Sequence, residues 1–172
     1  MTSILGTQSI QHPNGTAAAT VSATGVFSSP GHVIQVVSVN VNAQENVSSS
    51  SYVASSGVTL QITPSSASSK ILTICSPTLR IYENNGSDAN MRFALSRDGG
   101  STFLYEAVVR IYDYGGTGSL LDNATSKTIL DTPNTTNTLT YTMYVKKLAG
   151  DMIEINPDGA DRSTLTLMEI AG

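Results

Sequence analysis

Apolar residues in this chain recur at every second position, in window after window. Val37, Val39 and Val41 alternate with Ser38 and Asn40, and Val58, Leu60 and Ile62 alternate with Thr59 and Gln61. Met91, Phe93 and Leu95 repeat the pattern, as does the row Phe103, Tyr105, Ala107, Val109, Ile111. Leu139, Tyr141, Met143 and Val145 follow, then Ile153 and Ile155 about Glu154, and the chain closes on Leu165-Thr166-Leu167-Met168-Glu169-Ile170. A period of two places every other side chain on one face of an extended strand, so each window reads as a half-buried β-strand. The punctuation agrees. Thr63-Pro64-Ser65-Ser66, Asn84-Asn85-Gly86-Ser87, Arg97-Asp98-Gly99-Gly100, Tyr114-Gly115-Gly116-Thr117 and Asn156-Pro157-Asp158-Gly159 are turn or loop sequences, and the Asp98-Gly99 turn predicts a hairpin. No window carries a helical stripe. Roughly eight to ten short strands at this spacing predict an all-β, antiparallel jelly-roll sandwich.

The first 31 residues differ from the rest. Ile4 to Thr16 holds few apolar anchors around a Pro13-Asn14-Gly15 turn, and a second extended piece runs from Ala17 to Phe27 before Ser28-Ser29-Pro30-Gly31. A segment this thin buries no core of its own and has to pack on a partner or stay mobile. The expected organisation is therefore an N-terminal attachment or stalk segment, residues 1–31, and a head domain, residues 32–172. Ile4, Leu5, Ile10, Val21, Val26 and Phe27 are the candidate anchors of that segment.

Composition narrows the function. Only 13% of the 172 residues are charged, where about 25% is ordinary, so Ser, Thr, Asn and Gly make up the polar surface. The net charge is −4, and the largest basic cluster is the pair Lys146-Lys147. Phosphate binding needs clustered Lys and Arg, which argues against a nucleic-acid partner. No run approaches the roughly 20 apolar residues of a membrane span, and no signal peptide is visible at the N-terminus. The single cysteine, Cys75, lies in the apolar run Ile71-Leu72-Thr73-Ile74-Cys75 and reads as a small buried hydrophobe.

Catalytic and metal constellations are sparse. The two histidines, His12 and His32, lie in or beside the N-terminal segment, too few for a zinc site and without a nucleophile-elbow sequence for a Ser-His-Asp triad. Asp151, Glu154, Asp158 and Asp161 crowd the C-terminal third, but glycosidase chemistry also wants aromatic platforms, and the chain has no Trp. The loop Asp158-Gly159-Ala160-Asp161 has oxygen ligands of the kind calcium takes, yet nothing requires a cofactor. Gly99-Gly100 and Gly115-Gly116 lack the Lys-Ser or Lys-Thr of a phosphate loop. The expectation is a non-enzymatic structural or binding module. One loop suggests surface contact: Tyr112, Asp113 and Tyr114 set aromatics beside a glycine pair, and are the candidate receptor-contact residues.

Two stretches carry a resemblance. Ile10-Gln11-His12-Pro13-Asn14-Gly15-Thr16-Ala17-Ala18-Ala19-Thr20, with Gly25-Val26 and Pro30-Gly31-His32-Val33-Ile34-Gln35-Val36, resembles the N-terminal segments of fibre-like structural proteins of tailed phages, especially those of marine bacteria and cyanobacteria. Ile62-Thr63-Pro64-Ser65-Ser66-Ala67-Ser68-Ser69-Lys70-Ile71-Leu72, Ser96-Arg97-Asp98-Gly99 and Ser163 to Ile170 resemble the globular domain of the same proteins. The resemblance implies a virion protein, made in the host cytoplasm without a signal peptide: a short tail or baseplate fibre meeting a host surface glycan or protein, or alternatively a capsid decoration or head-fibre protein that stabilises the shell. Its partners would be other virion proteins and itself, since the order of parts is similar to trimeric jelly-roll heads whose final apolar strand lies near the threefold axis. Leu165, Leu167, Met168 and Ile170 are then the candidate homotrimer contacts. The last strand is apolar on both faces and wants cover on both, from a neighbouring subunit or from a central place in its own core.

Overall fold

The computed structural model describes residues 9–15, 17–21, 27–84, 86–112, 119–159 and 162–172. Fifteen strands and no helix occur among them. Twelve build the head: β4 (Val33–Val41), β5 (Glu45–Val47), β6 (Val53–Ile62), β7 (Lys70–Ser76), β8 (Thr78–Glu83), β9 (Ala89–Ser96), β10 (Tyr105–Ile111), β11 (Ser119–Ala124), β12 (Lys127–Asp131), β13 (Leu139–Ala149), β14 (Met152–Ile155) and β15 (Ser163–Ile170). One sheet has the order β10-β9-β13-β6; two others have the orders β12-β7-β15-β4 and β11-β8-β14-β5. The last two are halves of one sheet, because β4 runs on into β5, β7 into β8, β11 into β12 and β14 into β15.

The head thus has eight strand tracks: β4/β5, β6, β7/β8, β9, β10, β11/β12, β13 and β14/β15. The first pairs with the eighth, the second with the seventh, the third with the sixth and the fourth with the fifth, all antiparallel. A ribbon doubled back on itself and rolled into two four-track sheets is a jelly roll. The all-β jelly-roll sandwich expected from the alternation is the fold.

The seam that divides the long sheet has a chemical cause. Pro77 separates β7 from β8 and has no N–H for the ladder. Asn156, fully buried with φ +54°, separates β14 from β15 and knits the gap. Its amide donates to the Ala43 carbonyl at 3.0 Å, its side-chain oxygen accepts from Ser163 Oγ at 2.7 Å, and its backbone N–H donates to the Thr78 carbonyl at 3.0 Å. Ser163 Oγ in turn accepts the Thr78 N–H at 3.1 Å.

Between the sheets lie Val58, Ile71, Leu79, Ile81, Met91, Phe93, Leu95, Tyr141, Met143, Val145, Ile153, Ile155, Leu165 and Leu167. Cys75 is among them, and burial pushes its thiol up to about 11. The Tyr141 hydroxyl, fully buried, donates to Asp131 Oδ2 at 2.7 Å, which Arg97 also reaches at 3.2 Å. The expected hairpin joins β9 to β10. Ser96 Oγ accepts the Asp98 and Gly100 N–H groups, and the Asp98 carboxylate accepts Thr102 Oγ1 at 2.6 Å and Thr102 N at 2.9 Å. Phe103, expected to open the next strand, precedes it instead: Tyr105, Ala107 and Ile111 pack on the core, whereas Phe103 folds over the outside of the sheet.

At the bend from β13 to β14, Gly150 has φ +91°, and a Cβ there would lie 2.8 Å from the Tyr82 carbonyl oxygen and 2.9 Å from Ala89 Cβ. Left-handed backbone and the close approach both demand glycine. Gly150→Ala is expected to cost about 1–3 kcal/mol, read as a lower urea midpoint with an unchanged slope.

The remaining strands, β1 (Ser9–Gln11), β2 (Ala17–Val21) and β3 (Phe27–Ser28), form a small sheet of order β1-β2-β3. Gly15, at φ +87°, closes the β1–β2 turn by donating to the His12 carbonyl at 2.8 Å. The sheet has almost no interior. Ala19 is its one buried hydrophobe among the described residues, while Ile10 and Phe27 are each 50% exposed. Val21 pairs with Phe27 and is half-buried. Ile4, Leu5 and Val26 lie outside the described residues. Two backbone bonds tie the following turn to the head: Gly31 N to the Ala171 carbonyl at 2.8 Å and Ala171 N to the His32 carbonyl at 2.9 Å.

Candidate interaction surfaces

The two sheets present outer faces of opposite character. On the half-sheet β12-β7-β15-β4, the register aligns Leu130, Leu72, Met168 and Val36 in one row across all four strands. The next row is Thr128, Ile74, Thr166 and Ser38, and the row after it holds Ser76, Thr164 and Asn40. None of these side chains is charged. Val36 is 53% and Leu130 49% exposed; Leu72, Ile74 and Met168 are half-buried. Ile170 pairs with Lys70 on one side and exposed Val33 on the other.

This register divides the candidate trimer residues. Leu165 and Leu167 are fully buried in the protomer's own core, because β15 is an inner strand of its sheet and its odd-numbered side chains face the opposite sheet. Their expected role at a subunit contact is corrected to core packing. Met168 and Ile170 point the other way, into the outer face.

The outer face of the sheet β10-β9-β13-β6 is aromatic and charged. Tyr52 stacks at a tilt on Phe103, with ring centroids 4.3 Å apart, and Phe103 meets Tyr144 edge-on at 5.6 Å. Lys146 Nζ sits 4.3 Å above the Tyr52 ring, a cation–π contact. Arg92 pairs with Glu106 at 3.0 Å across β9 and β10. Burial, helped by the Glu106 carboxylate, pushes the Tyr52 hydroxyl up to about 12. Farther along, Thr59–Thr142 and Thr63–Thr138 hydroxyl pairs, both 2.8 Å, lace β6 to β13 and the residues that flank them. Sequence reasoning missed this cluster. Tyr52, Phe103 and Tyr144 are far apart in the chain, and Phe103 joins them by leaving the alternating row it heads. Of the receptor candidates, Tyr112 follows β10 at 58% exposure, its hydroxyl accepting from Arg110 at 3.3 Å; Asp113 and Tyr114 lie outside the described residues.

The acidic C-terminal residues do structural work. Both Asp158 oxygens accept from Arg80, at 3.0 and 2.8 Å, and Arg80 also holds Asp122 through Nε and Nη2 and approaches Glu154 at 3.5 Å. Glu154, buried, takes a further bond from Gln44 at 2.8 Å. Asp151 accepts from Asn84 N and Nδ2, both at 2.9 Å. Asp158 is thus committed to a guanidinium; the other acidic residue of that loop, Asp161, lies outside the described residues. No three His, Cys, Asp or Glu side chains gather to hold a metal ion among the described residues. His32 Nδ1 lies 2.8 Å from the Ser29 carbonyl oxygen in the turn before β4, and His12 sits in the β1–β2 turn.

No protein-family model matches the chain, and no curated protein does. Among solved structures, the VP2 subviral particle of infectious bursal disease virus is similar at 16% identity and a TM-score of 0.37, over 84% of this chain and 39% of VP2. The T=1 particles derived from the same virus give 14% and 0.38, over 83% of this chain and 37% of theirs. A carbohydrate-binding module from Cellvibrio mixtus lichenase 5A, in complex with cellotriose, gives 13% and 0.30 over 80% of this chain and 98% of the module. The chain therefore spans well under half the length of the viral chains it is similar to. The jelly-roll assignment rests on its own strand order.

Proposed function

We propose that the chain is a non-enzymatic structural protein of a virus particle: a short trimeric fibre of a tailed phage, residues 1–31 gripping the particle and residues 32–172 forming a head that meets the host surface. The observation that carries this reading is the contrast between the two parts. The head closes a core between its sheets, while β1–β3 buries little and leaves Ile10 and Phe27 half exposed. A three-stranded sheet that buries so little among the described residues gains stability from a surface it packs on, and the phage-fibre resemblance of the same residues supports the surface of a particle. Exposed Tyr112 beside Arg110 supports an outward contact at the end of β10.

The test uses the full chain. Ile10→Asp with Phe27→Asp is expected to abolish incorporation into particles while the head melts at its usual temperature. Incorporation at the normal level would overturn the attachment role. Labelling the protein in purified particles separates tail from capsid; a capsid position favours decoration of the shell. Normal adsorption by particles lacking the protein would remove the host contact.

A further inference from the structure

We infer that the outer face of the half-sheet β12-β7-β15-β4, which carries no acidic residue in its aligned rows, is the surface on which a second copy of this chain docks. The inference rests on the oligomeric virion reading and names the face that reading needs. Leu130, Leu72, Met168 and Val36 form one row, with Ile170 and Val33 beyond it on one side and Thr128, Thr166, Ser38 and Asn40 on the other. Depletion of charge at the centre of a patch is a feature of protein–protein contacts.

Charge selects the occupant. The chain carries a net −4, so two copies repel through most of their surfaces. On this face the three aligned rows hold no acidic residue, and Lys70 stands at one end. A strongly basic or acidic partner would find no counter-charge across those rows. A second copy brings the same apolar row and the same hydroxyls, which both donate and accept. Ser38 and Thr166 already pair this way at 2.9 Å within the face.

Size sets the strength. Strands about 4.8 Å apart and same-face residues about 6.8 Å apart make four strands by three or four rows roughly 400–500 Å². Two such faces together reach about 800–1,000 Å², below the roughly 1,200 Å² of a stable interface and in the range of weak contacts. The contact is therefore reversible, and the N-terminal segments or a third copy have to add to it. The other outer face is a poorer choice, because Arg92, Glu106, Lys146 and Arg110 would have to be desolvated there.

The experiment is sedimentation of the full chain from low to high micromolar concentration, beside Val36→Glu with Leu130→Glu. Both positions are about half exposed, so the head keeps its melting temperature. Gln61→Glu, on the opposite outer face, is the control. The double variant is expected to weaken association by about a hundredfold or more, and the control not at all. An oligomer unchanged by the double variant overturns the face and leaves the oligomeric reading standing. A wild-type chain that stays monomeric overturns both, while particle labelling still decides the virion role. Loss of the variant from particles with an unchanged oligomer assigns the face to a different virion protein and also overturns the inference.

Discussion

Arg80→Met is expected to destabilise the head by about 3 kcal/mol at neutral pH, a fall in melting temperature of roughly 6–12 °C for a domain of this size. Arg80 joins β8 to Asp122 on β11, Glu154 on β14 and Asp158 in the following loop. Asp122 and Asp158 are exposed and can turn to water once it is gone. Glu154 cannot: it is buried, and Gln44 would be its main remaining partner. The cost comes chiefly from that stranded charge and from the mutual repulsion of three carboxylates, not from the surface pairs, which are worth little singly. The pH dependence carries the diagnosis. The Arg80 guanidinium holds the Asp122 carboxyl below the usual range, so its contribution is complete above the ordinary aspartate value near 3.8 and is lost as pH falls through the lower folded value. The gap between wild type and variant should therefore be widest near neutrality and narrow in acid, followed by thermal melts across that range. A gap that stays constant into strong acid would place the loss in packing of the arginine stem.

The long sheet explains why this ion cluster exists. Its ladder is interrupted at Pro77 and again at Asn156, so the half-sheet β11-β8-β14-β5 cannot rely on continuous hydrogen bonding alone. Arg80 crosses three of its tracks from the outside, and Asn156 bridges the seam from within. The other half-sheet has no such cluster on its outer rows and exposes apolar side chains there.

Much of this architecture was legible before any coordinates. β4, β6, β9, β13, β14 and β15 follow from alternation alone, because each has one face in the core and one in solvent or under polar cover. β8 gives a weaker signal although Leu79 and Ile81 alternate, since its run is short and begins beside a proline. β11 and β12 carry adjacent apolar residues, Leu120-Leu121 and Ile129-Leu130, which blur the period on an edge track. Interaction faces were harder still. Met168 and Ile170 could be picked out as the surplus apolar side of β15, but Leu165 and Leu167 could not be separated from them without knowing that β7 and β4 flank that strand. Val36, Leu72 and Leu130 become neighbours of Met168 only through register, which is a property of pairings between strands distant in the chain. The ion cluster is non-local in the same way.

Glu169→Ala is expected to cost about 2–4 kcal/mol, much the same as losing Arg80, though no cation pairs with this carboxylate among the described residues. Glu169 occupies an inward position of β15 and is fully buried. Its Oε1 accepts the Ser65 N–H at 2.7 Å and Ser65 Oγ at 2.6 Å, and its Oε2 accepts Gln35 Nε2 at 2.5 Å. Gln35 also donates to the Thr63 carbonyl at 2.8 Å, so one carboxylate fixes the turn that joins β6 to β7 and the start of β4. Alanine would remove the acceptor of the Ser65 N–H and hydroxyl, leave Gln35 only the Thr63 carbonyl, and open a void at the end of the core. Burial alone would raise the Glu169 carboxyl; the bonds from Gln35 and Ser65 outweigh it and hold the group below the ordinary value near 4.5. A depressed folded value means the stabilisation is complete above that ordinary value and is lost as pH falls through the lower one. Glu169→Gln keeps the shape and one acceptor oxygen, and should lie between wild type and alanine at pH 7 while losing the acid dependence. Urea melts of the three chains at neutral and acid pH read all of these expectations together, and a glutamine variant as stable as wild type at pH 7 would show that shape, not charge, holds the turn.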